Sequence, residues 1–352
     1  MGGTTRRGDQ LSPQFPPNRS RRRCPGKFSL PKSRGVGGAR TGYCRHRAAR
    51  RHSHPRLTTT VPTGDRTDRR FTPPNPDDRV IFIPQGALFL VPFPALPDGT
   101  GTYLIEKHTI QTAPSIQVLE LTRQAKERGN ATGEALVVGN PAMPEIALQW
   151  DATPQRLSPL PGAEGEAVEI ARILETEPLL GDRATETAIV ERMSRAQTIH
   201  LATHGLLDEL VLHLETQGRS PARLEALNFP GALALTPSAT DDGLLTTAEI
   251  AQLDLHAELV VLSACDTGRG ELTGDGVVGL ARSFGAAGAS SIVVSLWQVP
   301  DAPTALLMTE FYRNLQENPD RARALRQAML TIKQTHPHPA DWAAFTLIGE
   351  TD

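Results

Sequence analysis

Cysteine is nearly missing from this chain: of 352 residues three are cysteines, Cys24 and Cys44 near the start and Cys265 alone in the remainder. A disulfide framework is thereby excluded, as is a cysteine-built zinc site beyond residue 78, and a reducing cytoplasm is the default location. Long apolar runs are missing too. The least charged stretch, residues 285–300, is short and rich in Gly and Ser, so no membrane span is expected. The N-terminus lacks the apolar segment of a secretory signal, and Pro13, Pro16, Pro17, Pro25 and Pro31 oppose the amphipathic helix of a transit peptide.

Acidic residues are scarce over residues 1–78, with 5 Asp/Glu against 18 Lys/Arg, whereas residues 79–352 carry 34 against 19. The overall balance of −2 is therefore the sum of a basic segment and an acidic one. The basic segment holds 10 Pro, 9 Gly and only 15 apolar residues, too few to bury a core that offsets chain entropy. Residues 1–78 are expected to be a disordered Arg/Pro/Gly-rich tail, and residues 79–352 a folded domain. With few aromatics and no helical pattern, the tail reads as a solvated segment. Nucleic acid, which only this tail would meet through counterion release, is not expected as a partner.

From residue 79 the apolar pattern alternates between strand and helix periods. Residues 79–83 and 87–91 read as strands around a turn at 84–86, and 135–138 as a buried strand ended by Gly139-Asn140-Pro141. Residues 198–202, 258–262 and 291–296 follow as strands, the last two apolar almost throughout, as in parallel strands covered on both faces. Helices are expected at 163–175, 185–194, 275–284, 303–315 and 320–334, and an irregular surface loop within 206–242. The alternation predicts an α/β fold, a mostly parallel sheet flanked by helices with right-handed crossovers.

In an open α/β sheet the functional crevice lies beyond the carboxyl ends of the strands. Two of the expected strands end there in reactive residues: one runs into Thr203-His204-Gly205, the other into Ser263-Ala264-Cys265. As parallel neighbours they would deliver an imidazole and a thiol to one edge. A free thiol, with a pKa near ~8.5, is mostly protonated at neutral pH; the imidazole takes its proton and the thiolate attacks a carbonyl. His204 would then protonate the leaving amine. Gly205, having no side chain, lets its N–H reach the developing oxyanion, with the Cys265 N–H as second donor. The plainer readings are an inert core cysteine and, for His204 or for His200 four residues earlier, a satisfied core or rim histidine. The reactive reading is favoured by the loop-forming residues that follow each candidate, Gly205 in one case and Asp266-Thr267-Gly268 in the other.

These His-Gly and Ala-Cys strand ends, in that order, resemble the caspase-like cysteine peptidases, the superfamily of caspases, separases and gingipains. More narrowly they resemble the CHAT domain of bacterial proteins. The resemblance covers nearly all of residues 79–349: IPQGALFLVPFPAL at 83–96, LPGAEGEAVEIARIL at 160–174, IHLATHG at 199–205, DGLLTTAEI at 242–250, LVVLSACDTGRGELTGDGVVGLARSFGAAGASSIVVSLWQVPD at 259–301 and WAAFTLIG at 342–349. It implies a caspase-like fold, a His204–Cys265 dyad, a protein or peptide substrate cut by an intracellular endopeptidase, no cofactor, and, as in many members, latency until a protein partner orders the active-site loops. The alternative is a catalytically silent CHAT module acting as a signalling or scaffold protein. Members usually carry a helix before the first strand, often after tetratricopeptide repeats that present a partner. Here the basic tail takes that place, and the missing helix is expected to leave an apolar patch on the sheet.

Asp301, after the strand at 291–296, is read either as the acid of a pocket for Arg or Lys before the scissile bond, as in some relatives, or as a helix N-cap. Trp297 is read as a pocket wall or a core residue, and Asp266 as a further pocket candidate. Gly274-Asp275-Gly276-Val277-Val278-Gly279 matches the G-x-G-x-x-G of dinucleotide sites, but the preceding strand ends about ten residues too early for that turn. A glycine-rich active-site loop at 268–276 is the plainer reading. His213, His256, His336 and His338 lack ligand spacing, so no metal is assigned.

Overall fold

The computed structural model describes residues 73, 75, 78–128, 133–146, 153–207, 231–263, 274–297 and 300–352. All of them lie within one unit, Leu57–Asp352. Apart from residues 73, 75 and 78, the expected tail falls outside them.

In chain order the strands are β1 (Arg79–Phe82), β2 (Thr109–Thr112), β3 (Glu134–Pro141), β4 (Glu145–Ile146), β5 (Gln155–Arg156), β6 (Leu179–Gly181), β7 (Ala196–Ala202), β8 (Gly205–Leu207), β9 (Gly231–Ala234), β10 (Leu244–Thr246), β11 (Leu259–Leu262), β12 (Ser291–Ser295) and β13 (Phe345–Gly349). The longer helices are α1 (Ile116–Arg128), α2 (Pro161–Ile173), α3 (Glu186–Met193), α4 (Gly274–Ala287), α5 (Asp301–Glu317) and α6 (Arg321–Thr335).

Six strands form the central sheet in the order β13-β12-β11-β7-β3-β6. Every pair is parallel except β12 with β13, which is antiparallel. Side chains alternate across such a sheet, and the sequence sorts accordingly. Leu136 and Val138, Ile199 and Leu201, Val260 and Leu262, and Ile292 and Val294 bury on one face, against Ile189 and Met193 of α3 and Leu280, Ala281 and Phe284 of α4. Val137, Val261, Val293 and Leu347 bury on the other, against α2, α5 and α6 through Ile170, Phe311 and Met329. Each fully buried aliphatic side chain of this kind contributes about 1.5–3 kcal/mol of transfer free energy. That explains why the strands at 135–138, 258–262 and 291–296 are apolar on both faces and readable from sequence.

Two local devices set the helices on the sheet. Thr185 caps α3 by accepting from the Ala188 N–H, and Asp320 caps α6 by accepting from the Arg323 N–H. Gly139 of β3 lets α2 approach closely: an added Cβ would lie 2.4 Å from the Ala167 Cβ and 2.5 Å from the Ala163 carbonyl oxygen.

The structure differs from expectation in several places. Residues 87–91 are no strand; Gly86–Leu90 forms a 3-10 turn in which Phe89 is buried and Leu88 exposed. The partner of β1 is instead β2, an unanticipated polar-looking strand, Thr-Ile-Gln-Thr, whose four residues are all buried. Within the interval 206–242, residues 237–242 form the expected irregular surface loop, but Leu206 and residues 231–236 are buried. β8, β9 and β10 form a small antiparallel sheet, and the small apolar residues Gly231–Ala234 are wholly buried in it. Residues 208–230 lie outside the described residues. Ile81 of β1 and Ile83 just beyond it are exposed, 45% and 40%.

Candidate active site

Register brings the two reactive strand ends to one edge. β7 and β11 are parallel neighbours with Leu201 opposite Leu262, and the Ser263 N–H donates to the Leu201 carbonyl. His204 stands three residues beyond Leu201, as Cys265 stands three beyond Leu262. Cys265 and Asp266 themselves lie outside the described residues, as do 268–273 of the expected glycine-rich loop. α4 begins at Gly274, twelve residues beyond the end of β11, a separation that does not fit the tight strand-to-helix turn of a dinucleotide site.

His204 occupies the junction between β7 and β8 and is 6% exposed. The turn that carries it is pinned to β9 from two sides. The Thr203 hydroxyl donates to the Ala234 carbonyl, and the Ala234 N–H donates to the His204 carbonyl at 2.9 Å. The His204 Nε2 lies 2.8 Å from the carbonyl oxygen of Ser158. A carbonyl only accepts, so in the neutral ring Nε2 carries the proton and Nδ1 is the basic nitrogen. This polarity is what a proton acceptor for a thiol needs.

Gly205 pairs with Leu233 across β8 and β9. The bond from Ala234 to His204 makes this a non-hydrogen-bonded pair, so the Gly205 N–H is directed to the side of β8 away from β9. The backbone donor expected for an oxyanion is thus not consumed by the ladder.

The Ser158 carbonyl belongs to a segment that leads into α2, and sequence reasoning missed it because a backbone acceptor has no residue-type signature. The other end of this segment touches Asp301: an added Cβ on Gly162 would lie 2.3 Å from the Asp301 Cβ and Oδ2. His204 and Asp301 are therefore bridged by residues 158–162. Asp301 is not an N-cap, as one reading held; Pro300 occupies that position and Asp301 opens the first turn of α5. Its carboxylate is left for the rim of the sheet and for the N-terminal end of α2, where a negative charge is favoured. Trp297 is half-buried between the two core layers, and its indole N–H donates to the Ala340 carbonyl at 3.0 Å.

His200 is a separate case. It is fully buried on the face of β7 that packs against α2 and α5, with Nε2 3.1 Å from the Glu166 Oε1 and Nδ1 3.3 Å from the Tyr312 hydroxyl. The Glu166 contact is close but its angle does not fit a hydrogen bond, so the carboxylate acts on the ring through proximity rather than through an aligned bond. Burial, and then the negative charge of Glu166, push the Tyr312 hydroxyl well above its ordinary pKa. It therefore stays protonated and able to donate to Nδ1. Among the described residues, no three His, Cys, Asp or Glu side chains gather as a metal site, and no helix is long and apolar enough to cross a membrane.

The family model of the CHAT domain matches residues 53–350, starting upstream of β1. The chain belongs to the CHAT domain family. Tetratricopeptide repeat protein 28 of Mus musculus is 30% identical to this CHAT chain over 298 residues, 77% of the chain. The Homo sapiens protein of that name is 31% identical over the same length and share. The chain spans 12% of the length of each. Among solved structures, the Arg-specific cysteine proteinase gingipain R is similar at 14% identity and a TM-score of 0.44, over 70% of this chain and 55% of that one. A chain of the Saccharomyces cerevisiae separase–securin complex is similar at 12% identity and a TM-score of 0.43, over 74% and 14%.

Proposed function

We propose that this CHAT domain is a cysteine endopeptidase in which Cys265 is the nucleophile and His204 the base and acid. The observation that carries the reading is the hydrogen bond from the His204 Nε2–H to the Ser158 carbonyl, at the end of the strand next to the one that leads to Cys265. In the first step the thiol proton passes to the His204 Nδ1 and the sulfur bonds to the scissile carbonyl carbon. The oxyanion accepts from the Gly205 N–H and the Cys265 N–H. The carbon–nitrogen bond then breaks, the amine leaving with the proton from His204. Water, deprotonated by the same nitrogen, cleaves the thioester and restores the thiol. The substrate is a protein or peptide, and a protein partner is the expected activator.

A peptidyl acyloxymethyl ketone, which alkylates an activated thiol, tests this. Wild type is expected to be labelled and the Cys265→Ala chain not; equal labelling of the two sinks the proposal. Asp301 is expected to favour a probe with Arg at the position before the reactive carbonyl. Asp301→Asn should lower the preference for that probe over a Leu probe by roughly tenfold or more, the worth of a charged hydrogen bond. An unchanged ratio removes Asp301 from the pocket.

A second reading, a CHAT module that binds without cutting, is favoured by the identity to proteins named for tetratricopeptide repeats rather than for hydrolysis. It predicts no labelling of Cys265 even with a partner present.

A further inference from the structure

Asn140 occupies a strained position beside the histidine-bearing turn. It is one of two described non-glycine residues with a positive φ, at 45°, a conformation that Asn tolerates better than most residues but that still carries a cost. It is also the residue skipped where β3 shifts register against β6, between Gly139 and Pro141. On the other side Gly139 is the last residue of β3 to pair with β7, opposite Ala202. Asn140 therefore begins where the ladder stops, level with Thr203 and His204. Bulges and positive φ values cluster next to functional sites because they re-aim a side chain.

The side chain so aimed reaches the segment that faces His204. Its Oδ1 accepts from the Leu160 N–H at 2.7 Å, and its Nδ2 donates to the Glu164 Oε2 at 2.9 Å. The fork thus grips both the residue just before α2 and the first turn of that helix. The segment is held at its other end by the Leu157 N–H donating to the Pro144 carbonyl at 3.2 Å. Ser158, whose carbonyl receives the His204 Nε2–H, lies between these two anchors.

We propose that Asn140 is a positioning residue for His204: by fixing residues 158–160 it holds the Ser158 carbonyl where it selects the ring tautomer with Nε2 protonated and Nδ1 basic. This rests on the reading of His204 as the base for Cys265. Asn140 touches no reacting atom and acts only through Leu160 and Ser158.

The test uses the full chain with nitrogen-labelled histidine at a pH where the ring is neutral. The signal of His204 is assigned by its loss in H204Q, and its two ring nitrogens report the tautomer. Wild type is expected to give the Nε2–H form. N140G removes the fork while keeping a residue suited to positive φ, and is expected to lose that single tautomer and to label with the acyloxymethyl ketone up to about 100-fold more slowly, as a misplaced reacting group does. In N140D/E164Q both bonds are rebuilt: the aspartate still accepts from the Leu160 N–H and now accepts from the glutamine amide, where Asn140 had donated to Glu164. This variant is expected to regain the wild-type tautomer and most of the labelling rate.

The proposal is overturned if wild type holds the Nδ1–H form, if N140G keeps the wild-type tautomer and rate, or if a folded N140D/E164Q chain shows the wrong tautomer. The last outcome decides the matter even where N140G does not fold. Because the ring is read by NMR whether or not Cys265 reacts, failure of the peptidase reading and failure of the Asn140 proposal give different results.

Discussion

His204→Gln is expected to slow alkylation of Cys265 at pH 7 by about 30-fold. Glutamine keeps an N–H for the Ser158 carbonyl, so the turn between β7 and β8 retains its anchor, but it has no basic nitrogen. Without a base, a thiol of pKa near ~8.5 is only a few per cent ionised at neutral pH, and alkylation falls with the thiolate fraction. The sign of the pH effect follows. As pH rises through ~8.5 the variant thiol ionises unaided, so its rate climbs and the gap to wild type closes. Peptide hydrolysis, which also needs a proton for the leaving amine, should fall further, by about 100- to 10,000-fold, and should not be restored by raising the pH. Rate constants for the ketone probe from pH 6 to 9, beside cleavage of a peptide library, separate these effects. A variant that alkylates as fast as wild type at pH 7 would remove His204 from the dyad and leave it a buried rim histidine.

The second large effect concerns stability. Glu166→Ala, which leaves His200 and Tyr312 in a dry core without their carboxylate, is expected to cost about 3 kcal/mol, the low end for breaking a buried pair, because the 3.1 Å contact is poorly aligned. Such a loss lowers Tm by roughly 10 °C in a domain of this size. His200→Phe should cost a similar amount by stranding the carboxylate. Replacing both, as Glu166→Met with His200→Phe, should recover much of the loss, since removing two buried polar partners together leaves neither unpaired. Urea unfolding of wild type, Glu166→Met, His200→Phe and the double variant gives the coupling as a double-mutant cycle. Additive losses would mean that the two side chains do not support one another across β7 and α2.

Much of the fold was legible because burial acts directly on residue type. Residues 135–138 of β3, with β11 and β12, sit between two helical layers, so they are apolar on both faces and stand out from the helical stripes of α2, α5 and α6. Elements whose burial comes from elsewhere were not legible. The four residues of β2 are buried although three of them are polar, because the Thr112 and Gln111 side chains find partners in Thr346 and in the Gly349 carbonyl of β13. The run Gly86–Leu90 has strand-like residues but no strand beside it, and closes into a single turn.

The site divides in the same way. His204 and Gly205 were identifiable because a histidine and a glycine at a strand end are residue types written in the chain itself. Ser158 was not, because it contributes a carbonyl that any residue has. Asn140 was visible only as the middle of a Gly-Asn-Pro strand terminator; its left-handed backbone and its grip on Leu160 and Glu164 depend on α2 packing against Gly139.

What the amino-acid sequence determined by itself, then, is the class of fold and the order of reactive residues along it. Hydrophobic periodicity is a local property, and a histidine or cysteine after a strand is written in the chain. What only the tertiary structure decided is which nitrogen of His204 carries its proton, which way the Gly205 N–H points, and that His200 belongs to the core with Glu166 and Tyr312. Those depend on hydrogen bonds between segments 46 and 112 residues apart, and directional bonds of that kind exist only once the sheet has set the register between them.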